Sequence, residues 1–305
     1  MADPDIERAA RFLATHAVLL LALGVAAASV ALLAVLSAVR IAVRYRAPVI
    51  RLFTTLVVRA GEVPALRRVL DRAPMAVPSA YLAVHLTLGL TFVAAVAGFV
   101  AVTEEAFGHS GDMAAFDVAF ARALHDETSA AGLRAFSVVS WLGSREVLAG
   151  VTLVVAAVLT AKRRLVLALG WIGAQAGGAL LNLTLKAGFA RTRPEFADAS
   201  LAASSWSFPS GHAMATFIAC GVGAYLLLRG GRSWRTTVLV VIAALSWSLV
   251  MAFSRLYLGV HFASDVIAGL IGGAAWVAVC VSALELVHRR AAVADATGAV
   301  IAPRR

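Results

Sequence analysis

Three short polar stretches interrupt an otherwise apolar chain, and their residue types are those of phosphoryl transfer. Lys186 is followed after six residues by Arg193-Pro194. Pro209-Ser210-Gly211-His212 forms the second stretch. In the third, Ser254-Arg255 is followed after five residues by His261 and then, four further on, by Asp265. Residues four apart on a helix share a face, so Asp265 can accept a hydrogen bond from one nitrogen of His261. That bond fixes the tautomer and raises the basicity of the other nitrogen, which is what a histidine nucleophile requires. Ser210 and Gly211 stand where a helix should begin. Free backbone N–H groups and the positive dipole end make such a place an anion site, and glycine permits close approach. Lys186, Arg193 and Arg255 can neutralise a phosphate and the charge on its oxygens during transfer. His212, beside this cradle, can protonate the leaving oxygen as general acid. No carboxylate cluster is offered to magnesium, so the chemistry expected uses no metal and no cofactor: phosphate passes to His261 and then to water.

Each fragment alone has a plain structural explanation. A lysine before a loop snorkels to the membrane surface, Pro-Ser-Gly-His can be a turn and helix start, and His261 with Asp265 can be a satisfied buried pair. Ionisable groups at membrane depth default to function, however, and here three sets coincide. Gly269 and Gly273 continue the His261–Asp265 face and let that helix approach a neighbour closely. Asn182 and Gln175 read as interhelical hydrogen-bond formers, and His85 and His109 as structural. Arg191, off the motifs, reads either as a ligand to a second phosphate or as a solvated loop residue.

The elements that must position these residues are membrane helices. The 305 residues are 61% hydrophobic and 14% charged, with a mean hydropathy of +0.87. A soluble domain cannot bury that much apolar surface. Charge-poor runs predict about seven spanning helices, at about 12–39, 77–102, 145–161, 165–185, 211–229, 235–253 and 261–289. Phe116, Phe120 and Leu124 predict a helix lying on the surface within 103–135, with a second short one near 133–141. Residues 40–72 hold eight arginines and two acids. Interleaved apolar residues allow two readings there, an interfacial amphipathic connector against anionic lipid or a solvated basic loop. Cys220 and Cys280 read as packing residues.

Most of the 27 basic residues fall in 40–72, 162–164, 229–235 and 289–305, alternate connections of the bundle. The positive-inside rule then places the N-terminus outside, the C-terminus in the cytoplasm and all three polar stretches on the extracytoplasmic side. The net charge of +10 is thus explained by arginines flanking spans, with no nucleic-acid partner expected.

The three stretches match, position for position and in order, the pattern KxxxxxxRP, PSGH and SRxxxxxHxxxD. By them the chain resembles the type 2 phosphatidic acid phosphatase (PAP2) superfamily. The resemblance implies an all-α integral membrane protein with a six-helix core, plus one extra N-terminal transmembrane helix here. The expected division is 1–43 for the extra helix, 44–76 for the basic connector, 77–287 for the core and 288–305 for a cytoplasmic tail. It assigns catalysis to His261, His212 and Asp265 and phosphate binding to Lys186, Arg193, Ser210, Gly211 and Arg255. The expected activity is hydrolysis of lipid phosphate or pyrophosphate monoesters in a bacterial cytoplasmic membrane. Undecaprenyl diphosphate is the first-choice substrate, ahead of phosphatidic acid, phosphatidylglycerol phosphate and diacylglycerol pyrophosphate. A lipid-linked phosphotransferase and a non-enzymatic anion transporter are the alternatives.

Overall fold

The structure, a computed structural model, describes residues 3–60, 79–108, 112–195 and 206–301. Residues 61–76 of the expected connector, His109, the middle of the 187–210 loop and the end of the tail lie outside the described residues. Ten α-helices and no strand make up what is described.

The expected first span divides at His16. α1 (Pro4–Thr15) starts with Asp3 accepting from the Asp5 N–H at 2.9 Å and with proline at its first position, then ends where His16 leaves helical geometry. Its buried Ala10 and Ala14 pack on Phe120 and Leu124 of α4 (Asp112–Asp126). The apolar part begins afresh in α2, Ala17–Ala60. This helix runs through the first half of the expected basic connector, past Pro48, where no glycine occurs between Gly24 and Gly61 and arginine and leucine are good helix formers. α2 packs on α9 (Trp234–Tyr257), with the Arg40 guanidinium 4.9 Å from the Trp234 ring centre.

Six described helices are long and apolar enough to span: Ala17–Ala38 of α2, His85–Phe107 of α3 (Ser79–Phe107), α7 (Leu165–Phe189), α8 (Gly211–Leu228), α9, and Ala263–Arg289 of α10 (Ala263–Ile301). The expected span at 145–161 is α6 (Arg145–Ala161), only 17 residues long. That is about 25 Å of helix against a hydrocarbon core of about 30 Å. α5 (Ala130–Leu142) joins it across a bend of 40°, and together they meet the length and hydropathy of a seventh span. The bend has a local cause. Gly143 caps α5, and a Cβ there would stand 2.6 Å from Met251 Sδ; Ser144 then caps α6 by accepting from Val147 N–H at 3.3 Å.

Side chains on the outer faces, such as Leu90, Leu153, Leu169 and Leu239, are 68–71% exposed. Water would not tolerate such a continuous apolar belt, whereas lipid does. Inside, Trp171, Met214, Ile218, Val222 and Leu284 form the main core where α7, α8 and α10 meet. Gly269 and Gly273 seat α10 on α8: a Cβ at 269 would lie 2.7 Å from the Ser210 carbonyl oxygen, and one at 273 would lie 3.2 Å from that of Met214. The small-residue face therefore sets the distance between the helices that carry the second and third motifs. At the far end of the bundle, Arg163, Arg164, Arg229 and His288 line one cavity, so the basic connections converge opposite the motifs.

Candidate active site

The motifs occupy the ends of four helices, and hydrogen bonds tie them together. Lys186 comes from the last turn of α7, buried to 4% exposure, and its Nζ donates to the carbonyls of Trp206 and Ser207. One turn earlier Asn182 donates to the Pro209 carbonyl at 3.3 Å, the interhelical role expected of it. Gly211 begins α8, and the space where a side chain would go is bounded by Asn182 Oδ1 at 3.0 Å and Lys186 Cε at 3.9 Å. First and second motifs thus meet. The Ser210 N–H donates to the Asp265 carbonyl at 2.8 Å, which joins second to third. Arg193 donates to the Val260 carbonyl at 2.7 Å and to His261 Nε2 at 3.3 Å, which joins first to third.

His261 is 2% exposed in the turn between α9 and α10. Its Nδ1 lies 3.3 Å from Asp265 Oδ2 and 3.3 Å from Ser207 Oγ. Arginine has only donors to offer, so the Arg193 contact requires a lone pair on Nε2 and the proton on Nδ1. The nitrogen turned toward the cations is therefore the one with the free lone pair. Burial pushes the imidazole down to about 3; Asp265 opposes the shift, while Arg193 and Arg255 add to it. Burial likewise lowers Arg193, with Asp265 opposing.

The sign of the pH dependence follows. Above the ordinary value of 6.5 His261 is neutral both folded and unfolded. Below it the unfolded chain takes up a proton that the folded chain refuses down to about 3, so stability falls as pH drops through that window. The slope from this one group is at most about 1.4 kcal/mol per pH unit. Thermal unfolding in detergent should therefore lose less between pH 7 and pH 5 in His261→Gln than in the wild type. An unchanged loss would mean that the ring is not held neutral.

Two motif atoms remain buried without a partner among the described residues, Ser210 Oγ and Arg255 Nε. Ser210 is the N-cap of α8 yet makes no side-chain capping bond. Arg255, in the last turn of α9, donates through its NH1 to Ser140 Oγ of α5. His212, half-buried at the second position of α8, has no hydrogen-bond partner among the described residues. The structure therefore brings six of the eight expected residues together, holds Arg255 in the last turn of α9 with its side chain on Ser140, and places His212 on the helix end that carries Ser210 and Gly211.

Sequence reasoning missed three neighbours. Ser207 donates to Asp265 Oδ2, and nothing in its surroundings in the chain marks it. Asp117 is fully buried on α4. Its signal was legible, since with Ala121 and Leu124 it recurs at i, i+4 and i+7 on the apolar face. The third is Arg191, whose carboxylate partners neither reading foresaw: at 12% exposure it is not a solvated loop residue. It bridges Asp117 Oδ2 at 2.9 Å and Asp265 Oδ1 at 2.8 Å.

Comparison with known proteins supports what the motifs imply. Phosphatidylglycerophosphatase B of Bacillus subtilis (strain 168) is 40% identical over 92 residues, which are 30% of this chain and 44% of that protein. The matched stretch thus spans less than half of the curated relative. The crystal structure of a transmembrane PAP2 type phosphatidylglycerolphosphate phosphatase from Bacillus subtilis superposes with a TM-score of 0.57 at 26% identity, covering 62% of this chain and 94% of that one. Residues 165–289, from the start of α7 to within α10, match the PAP2 superfamily, so the chain carries a PAP2 superfamily domain in a membrane protein whose described elements are all helices.

Proposed function

We propose that the protein is a membrane lipid phosphatase that hydrolyses a phosphate monoester or diphosphate through a phosphohistidine on His261. The observation that carries this reading is the pairing of an Nδ1-protonated His261, held by Asp265, with a cradle whose donors are left over. Ser210 Oγ and Arg255 Nε have no partner among the described residues, and buried polar atoms rarely go unpaired. The first backbone N–H groups of α8 are free of a side-chain cap beside them.

In this mechanism Lys186, Arg193 and Arg255 hold the phosphoryl oxygens, and Ser210 and Gly211 add hydroxyl and backbone donors. His261 Nε2 attacks phosphorus while the P–O bond to the lipid breaks, and His212 delivers a proton to the departing oxygen. Water then attacks the P–N bond, with His212 as base, releasing inorganic phosphate and restoring His261. None of these steps calls on a metal.

The site faces the extracytoplasmic side, with the N-terminus outside, the C-terminus in the cytoplasm and residues 77–287 as the phosphatase core. The placement of the basic cavity at the opposite end supports this orientation. Names of both Bacillus relatives put phosphatidylglycerol phosphate first among candidate lipids, with undecaprenyl diphosphate next and phosphatidic acid and diacylglycerol pyrophosphate after it. The test is phosphate release by purified protein in detergent with EDTA present, supplied in turn with each of the first two lipids. Release that survives EDTA is expected, and the ratio of rates ranks the lipids. Release that requires added divalent cation would overturn the mechanism. Transfer of phosphate to an added alcohol in preference to water would make the protein a phosphotransferase.

A further inference from the structure

Arg191 is held by several partners near the site. Its NH1 donates to Asp265 Oδ1 at 2.8 Å and to Ser264 Oγ at 2.7 Å, and its NH2 donates to Asp117 Oδ2 at 2.9 Å. Phe262 and Phe107 face the guanidinium with ring centres 4.5 Å and 5.4 Å away. Asp117 in turn accepts from the Ser264 N–H at 3.0 Å and from the Ser264 hydroxyl. It thereby caps the start of α10 from a different helix. Both carboxylates are fully buried, and Arg191 is 12% exposed.

The division of labour at Asp265 follows from these contacts. Oδ1 is taken by Arg191, so the carboxylate cannot rotate, and Oδ2 is left to face His261 Nδ1, Ser207 Oγ and the Phe262 N–H at 2.9 Å. α4 carries Asp117 and is itself held by α1 through Ala10, Ala14, Phe120 and Leu124. The N-terminal helix thus supports the base of the network from outside the motifs.

We propose that Asp117 and Arg191 are positioning residues that hold the Asp265 carboxylate, and through it His261 Nε2, in line for attack on phosphorus. This rests on the phosphatase reading above. Three of the five Arg191 N–H donors are committed to Ser264 and the two carboxylates, so in this proposal its effect reaches the reaction through Asp265. Breaking the network leaves a buried charge without its partner and frees Asp265 to turn.

The experiment uses the full chain in detergent: wild type, Asp117→Asn, Arg191→Gln and Arg191→Lys. Two anions separate positioning from charge. Orthovanadate, five-coordinate when bound to an imidazole nitrogen, resembles the transferring phosphoryl group and needs Nε2 in line. Inorganic phosphate needs only the cations. Calorimetry should show orthovanadate binding weakened about 10- to 100-fold in Asp117→Asn and Arg191→Gln, with phosphate affinity within about twofold of wild type. Turnover of phosphatidylglycerol phosphate should fall in kcat by a similar factor at nearly constant KM, and Arg191→Lys should recover part of both losses. Ser264→Ala, which removes only a hydroxyl, should shift orthovanadate in the same direction and serves if a charge substitution fails to fold. Equal weakening of both anions would make Arg191 a phosphate ligand and overturn the proposal, as would no change in either. A wild-type protein that binds neither anion would instead bring down the phosphatase reading itself, and this proposal with it.

Discussion

His261→Ala is expected to reduce phosphate release by roughly 10⁴- to 10⁶-fold while leaving substrate affinity nearly intact. The two halves of that expectation come from different atoms. In the proposed mechanism the nucleophile is one lone pair, and the Arg193 contact at 3.3 Å leaves that lone pair on Nε2. No neighbouring side chain can replace it: Ser207 is engaged with Asp265, and His212 lies on the other helix, where it is placed to move a proton. Affinity, by contrast, belongs to Lys186, Arg193, Arg255 and the start of α8, and alanine at 261 removes none of these. Steady-state kinetics with phosphatidylglycerol phosphate, joined to rapid quenching in base for an acid-labile phosphoenzyme, checks both halves. The wild type should accumulate a P–N species and the variant none. Release within tenfold of wild type would mean that phosphorus is attacked directly by water and that His261 serves some other purpose.

Asp265→Asn should lower kcat by about 10³- to 10⁴-fold, a loss of the size seen when a carboxylate that orients a catalytic histidine becomes an amide. The surroundings make the reason specific. Among the described residues every hydrogen-bond neighbour of this carboxylate is a donor: Arg191 on Oδ1, and Ser207, the Phe262 N–H and the Nδ1 proton of His261 on Oδ2. An amide must turn its own N–H groups toward one side or the other. Facing Arg191, it opposes a cation; facing His261, it favours the tautomer with the proton on Nε2 and removes the nucleophile. Either orientation also leaves a buried donor unpaired, at a cost of about 1–3 kcal/mol, so the thermal midpoint should fall as well. The kinetic loss should exceed the loss of folded protein measured on the same sample. A decline in activity that merely follows the folded fraction would assign Asp265 to stability alone.

Fold and site were unequally legible in the chain. Spans announce themselves because lipid demands long runs without charge, and residues 165–289 show this cleanly, each helix ending at arginines or at a motif. The motif residues stand out for the same reason, as polar groups in a greasy context. What stayed hidden depends on geometry rather than composition. The turn at His16 lies inside a continuous apolar run, and only the packing of Ala10 and Ala14 on α4 separates α1 from α2. The bend at Gly143 answers to Met251, more than a hundred residues away. The partners of Arg191 could not be read, since they come from α4 and α10, each 74 residues distant along the chain in opposite directions. The neighbouring arginine in the motif drew attention instead.

The backbone bond from Ser210 N–H to the Asp265 carbonyl, 2.8 Å long, and the missing side chain at Gly269 beside it make one rigid joint of two helices. A swelling or thinning of the bilayer that pushes helices apart meets α2 and the bent pair first, since α3 packs closely on α10. At the joint a backbone bond and interlocked surfaces resist separation, so anion receptor and nucleophile travel as one body. Turnover should then respond to lateral pressure through admission of the lipid rather than through the chemical step.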